Sequence, residues 1–169
     1  MMARLQRLLR HRWLDESDTR RALPPEVLER LARHVAASEA RHTGEIRIYV
    51  EAGFPVSYLW RDATPRERAI AIFGKLGVWD TEQNNGVLIY LLLAEHAIEV
   101  VADRGLSRRV DPTQWQQIVK GMSEAFRARQ YEEGLMQAVD EVTALLVRHF
   151  PATPGAANAN ELPDKPVLG

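Results

Sequence analysis

The 80–86 and 103–111 segments carry four acidic side chains, Asp80, Glu82, Asp103 and Asp111, two asparagines, Asn84 and Asn85, and three arginines, Arg104, Arg108 and Arg109. Carboxylates, amides and backbone carbonyls are the oxygen donors that calcium takes in numbers of about six to eight, while magnesium keeps more of its own water. Guanidinium groups beside a helix start, expected at Asp111, can meet an anion such as phosphate. The combination has the chemistry of a metal-assisted hydrolase acting on a phosphate ester. The same residue types also build turns and caps. Asp111 needs no function beyond capping a helix, and Asn84-Asn85-Gly86 none beyond turning the chain.

Other chemical signatures are missing. The sequence has no G-x-S-x-G elbow, no Walker-type glycine loop, no G-x-G-x-x-G and no H-E-x-x-H. It has no cysteine, which removes thiolate metal sites and cysteine nucleophiles together. His34 and His42 lie two turns apart on one expected helix, too far to share a metal, and read as surface residues.

The elements that position the cluster follow from periodicity. Pro24-Pro25 opens a helix expected over 26–42, with Val27, Leu28, Leu31 and Val35 on its buried stripe. Residues 45–51 alternate with period two and predict a strand with one partly covered face. Thr64-Pro65-Arg66-Glu67 is a capping box, and Ala69, Ile70, Phe73 and Leu76 carry the helix after it. Val87 to Leu93 is apolar throughout, as expected of a central strand covered on both faces. Residues 97–102 return beside it as a hairpin. Helices are expected after Asp111 and from Tyr131 to Phe150.

A strand–helix–strand unit implies a parallel crossover, and the hairpin adds an antiparallel strand. The predicted fold class is α/β: a three-layer α/β/α sandwich, Rossmann-like, with a small mixed sheet and helices on both faces. Antiparallel pairing of 87–93 with 97–102 would carry Asp80, Glu82, Asn84 and Asn85 to the sheet edge occupied by Asp103 and Arg104. The expected layout is a basic amphipathic segment over 1–13, one domain over 14–150, and a flexible Pro/Ala/Asn-rich tail over 151–169.

Two surfaces outside the cluster stand out. Leu5, Leu8, Leu9 and Trp13 recur at helical spacing among Arg4, Arg7, Arg10 and Arg12. Such a helix either lies on anionic lipid or docks on its own domain with its arginines in water. Phe54, Tyr58, Leu59 and Trp60 make the 52–63 connector unusually apolar; it either covers its own core or offers a partner surface.

The net charge of -1 argues against a nucleic-acid partner. The opening residues lack the unbroken apolar stretch of a signal peptide, so a cytoplasmic location is expected.

Thr43-Gly44-Glu45-Ile46, Asn84-Asn85-Gly86-Val87-Leu88, Ala102-Asp103-Arg104-Gly105-Leu106, and Ala125-Phe126 with Tyr131 and Gly134 together resemble the TPM domain over about 14–150. The resemblance implies a Rossmann-like α/β/α sandwich. It further implies either calcium-like ion binding with acid-phosphatase activity or a role in assembly. It puts Asp103 and Asp111 first as ligands to Ca or Mg, with Asp80 and Asn85 next. Where many members carry G-Y-G-L, this chain has Asp103-Arg104-Gly105-Leu106. Asn160 to Pro166 resembles an ending of the family's soluble branch, either a short motif for a partner or an extended strap along the domain.

Two function classes follow. The first is an adaptor or assembly module with an unidentified protein partner, peripheral membrane contact through 1–13, and a divalent-ion site at the 80–86 and 103–111 loops. The alternative is a metal-dependent phosphatase in which ion-activated water attacks, since no nucleophile or general base is identifiable.

Overall fold

The computed structural model describes residues 2–156 and 158–169, with side chains from residue 5 onward. In chain order the elements are α1 (Met2–Trp13), α2 (Glu16–Ala22), α3 (Pro25–Glu39), β1 (Ile46–Glu51), α4 (Val56–Trp60), α5 (Pro65–Lys75), β2 (Val87–Leu92), β3 (Ala97–Ala102), α6 (Arg104–Ser107), α7 (Pro112–Arg127), α8 (Tyr131–His149) and β4 (Val167–Leu168). No helix among the described residues is long and apolar enough to cross a membrane.

Local signals start the helices where the sequence placed them. At α5 the Thr64 side chain accepts from Glu67 N–H, and Glu67 returns a carboxylate oxygen to Thr64 N–H at 2.7 Å. At α7 Asp111 accepts from Thr113 N–H at 2.8 Å, and Pro112 occupies the first helical position, where its missing N–H costs nothing.

The strands form one mixed sheet in the order β3-β2-β1-β4. β1 and β2 run parallel with Ile46 beside Val87, and β2 and β3 run antiparallel with Val87 beside Ala102. Side-chain alternation then sorts two cores. Ile46, Ile48, Val50, Val87, Ile89 and Leu91 pack with residues of α3, α7 and α8. Tyr49, Leu88, Tyr90 and Leu92 pack on the other face with Ala69 and Ile72 of α5. The result is the three-layer α/β/α sandwich with helices on both faces.

Several expectations need correction. The β1 face expected to be partly covered is fully buried. Glu51 there accepts from Tyr90 Oη at 2.8 Å and is paired with Arg68, while Arg47 donates to Lys165 O at 3.2 Å. Paired charges let polar side chains sit under a cover that hydrophobic alternation does not reveal. The inward residue of α5 is Ile72 rather than Ile70, which is exposed. α3 ends at Glu39, and His42 is buried rather than on the surface. The short helices α2, α4 and α6 have too few turns to register as periodic.

The tail is not the flexible segment of the expected layout but takes the strap alternative. From Asn158 onward it lies along β1 as a strap and ends in a strand, with Val167 beside Tyr49 and Leu168 beside Val50. Its attachments run largely through backbone amides and carbonyls, which composition does not register.

Candidate functional site

The sheet edge expected to gather the acidic cluster is built by backbone. Asp103 N–H donates to Gly86 O at 2.9 Å, and Gly105 N–H donates to Asn84 O at 2.8 Å. This approach is close enough that a Cβ on Gly105 would fall under 3.0 Å from the carbonyl oxygens of Gln83 and Asn84, and one on Gly86 would collide with Val78 O. Glycine is therefore required at both positions.

The hairpin brings residues 84–86 and 103–105 together, but the carboxylates have separate occupations. Asp103 caps α6, with Oδ1 accepting from Arg104 N–H at 2.7 Å. Asp111 caps α7 and accepts from both the N–H and the hydroxyl of Thr113, bonds that hold its carboxyl below the usual range. Asp80 and Glu82 are exposed. Asn84 turns the chain at φ 52°. Asn85 is buried and donates to Thr43 Oγ1 at 3.2 Å. No group of three His, Asp or Glu side chains able to hold a metal ion occurs among the described residues.

Two oxygens at this edge nevertheless lack partners. Asn85 Oδ1 and Asp103 Oδ2 are both buried and accept no hydrogen bond. Buried acceptors in that condition are unusual and call for an occupant such as water or an ion. Beside them Arg104, Arg108 and Arg109 line a shallow cleft of about 340 Å³ with Gln83, Asn84 and Gly105. Arg109 donates to His149 O at 3.1 Å and lies over the Phe150 ring, while Arg104 and Arg108 are exposed.

At the opposite end of the parallel strands, α1 docks by its polar side. Arg7 donates to Glu95 Oε1, Asp62 Oδ1 and Ala63 O, each at 2.6 Å. His11 accepts from Phe54 N–H through Nδ1 at 2.9 Å, so Nε2 carries the proton and donates to Glu95 at 2.8 Å. Burial alone would raise the Glu95 carboxyl, but the bonds from His11 and Arg7 hold it below the ordinary value. Phe54 is buried and stacks on His11 at 5.1 Å between ring centroids, so it serves the core and not a partner surface. Tyr58 is half-buried between Arg61 and Arg68, and Trp60 stands 79% exposed.

The apolar residues of α1 consequently face outward. Leu5 is 59% and Trp13 82% exposed, with Leu8 and Leu9 exposed between them. Leu8, Leu59 and Trp60 share a small cleft, so the apolar strip continues from α1 onto α4. The docked alternative from the sequence therefore holds with its faces reversed: an arginine is held inside and the leucines are outside.

A further polar belt went unnoticed in the sequence. Glu45 is buried beneath the strap, and its two carboxylate oxygens accept from Glu161 N–H at 3.2 Å and Leu162 N–H at 3.0 Å. Glu39 accepts from Ile46 N–H at 2.8 Å, and burial pushes its carboxyl up to about 9. Asn158 donates to Glu39 O and His42 O. The Glu45 within Thr43-Gly44-Glu45-Ile46 was the available sequence signal, but its partners lie more than a hundred residues away.

The TPM domain family model matches residues 17–145. Among solved structures, the BA42 protein of the psychrophilic bacterium Bizionia argentinensis superposes with a TM-score of 0.76 at 22% identity, over 87% of this chain and 95% of that one. The N-terminal domain of a P. gingivalis protein superposes with a TM-score of 0.62 at 20% identity, over 78% and 82%. At these identities the likeness is one of fold. No curated protein matches the chain.

Proposed function

The chain belongs to the TPM domain family, and from that premise we propose that it acts as a binding module, an adaptor whose working surface is the α1–α4 face rather than a catalytic centre. One observation carries this reading. Arg7 and His11 turn inward to Glu95 while Leu5, Leu9, Trp13 and Trp60 are left in water. Exposed apolar residues that share one surface are characteristic of interaction sites.

The test is turnover of an aryl phosphate with Ca, Mg or Mn present. The wild type is expected to be no faster than Asp103→Asn. Metal-dependent turnover that this variant loses while staying folded would replace the module with the phosphatase alternative.

A divalent-ion site at the 80–86 and 103–111 loops is a second reading, supported by the unpartnered Asn85 Oδ1 and Asp103 Oδ2. With so few protein oxygens the donor set suits a hydrated ion of the magnesium kind better than an all-protein cage. Asp103 and Asn85 would hold it, and it would supply an electrophile beside Arg104 and Arg108. Calorimetric titration with Ca and Mg is expected to give saturable heat that Asp103→Ala loses; absence of heat in the wild type removes the site.

A further inference from the structure

We propose that the partner met by the α1–α4 face is the surface of an anionic lipid bilayer, an inference that rests on the binding-module reading and specifies its ligand. On a helix, Leu5, Leu9 and Trp13 are spaced i, i+4 and i+8 and form one line, while Arg7 and His11, also four apart, form the opposite one. The second line is fixed to Glu95. Docking therefore lays α1 flat on the body with its leucine line directed away from it. The 12-residue helix is roughly 18 Å long.

Charge complementarity selects the occupant. Residues 1–14 contain Arg4, Arg7, Arg10 and Arg12 and no Asp or Glu. Arg10 and Arg12 are exposed beside the leucine line, within reach of headgroup phosphates as the leucines enter the acyl boundary. Trp13 and Trp60, both about four-fifths exposed, are of the residue type that settles at headgroup depth. The strip lies along a convex helix rather than in a groove, which suits a deformable plane. Of the two helices that make this surface, α1 lies outside the 17–145 span of the family model and α4 within it.

The experiment is flotation of the full chain with vesicles of phosphatidylcholine alone and of phosphatidylcholine mixed with phosphatidylglycerol, at low and high salt. Binding is expected on the mixed vesicles only, weakening as salt rises. Leu5→Gln with Leu9→Gln is expected to lower the partition coefficient at least about tenfold, with unchanged circular dichroism and melting. Arg10→Gln with Arg12→Gln is expected to remove the dependence on phosphatidylglycerol.

Equal binding to neutral vesicles, or none to either, overturns the proposal. So does leucine-dependent self-association without flotation, which would make a second copy the occupant. Failure here leaves the binding-module reading to the aryl phosphate assay, which does not involve lipid.

Discussion

Burial drives the Glu39 carboxyl to about 9 from an ordinary 4.5, and the His42 imidazole down to about 4 from 6.5. A raised carboxyl means that the folded state binds the extra proton. The stability that Glu39 contributes is therefore complete below 4.5 and is lost as pH rises through 9. For His42 the sign reverses the window: its neutral form is the folded one, and stability is lost as pH falls from 6.5 through 4. Glu39→Gln keeps an oxygen for Ile46 N–H and removes the charge. Urea unfolding between pH 4.5 and about 9 is expected to show a flatter dependence for this variant and greater stability at the upper end; a wild-type slope would show that another group titrates. Residue chemistry was only partly legible in the sequence. Asp103 and Asn85, singled out by residue type, carry the unpartnered buried oxygens of that edge. Asp111 was equally well explained as a cap, which is what it is. Glu39 and Glu45 escaped because their burial depends on a strap that composition describes as a linker.

At the scale of elements, Glu95 is the anchor that accepts from both Arg7 and His11, beside the bonds of Arg7 to Asp62 and Ala63 O and of Phe54 N–H to His11. Glu95→Ala is expected to release this helix locally. Amide exchange over residues 2–13 should accelerate by one to two orders of magnitude, equivalent to about 1–3 kcal/mol, while exchange in β2 stays unchanged. If β2 accelerates equally, the helix and the sheet form one cooperative unit. Loss of the capping box gives a contrasting case: Thr64→Ala is expected to lower global stability by about 1 kcal/mol in chemical denaturation. Periodicity identified both helices, but it reports only which residues share a face, not which face turns inward. For α5 the spacing places Ala69, Phe73 and Leu76 correctly and takes only Ile70 in place of Ile72, and for α1 ion pairing outweighs the apolar stripe altogether.

For the whole molecule, the crossover, the antiparallel pairing of the hairpin and the two helical layers were all legible, because they follow from capping, turns and apolar spacing. The fourth strand was not, since a parallel pairing of Val167 and Leu168 with β1 leaves no local pattern. Removing residues 158–169 uncovers the β1 edge and strips Glu45 of both its donors. The truncated domain is expected to melt several degrees lower and to associate with itself at concentrations where the full chain does not, measured by light scattering. An unchanged melting temperature would mean that the strap contributes no net stability. The strap has a last consequence, in time rather than in energy. Arg47 and Lys165 are 118 positions apart, and closing so long a loop costs little more than closing a short one, yet pairings of such high sequence separation form late. During refolding, the amides that the strap protects should therefore acquire protection after those of the β2–β3 hairpin in pulse labelling. In the interval the nascent sheet would present an open edge, the stage at which the chain depends most on dilution or on a chaperone.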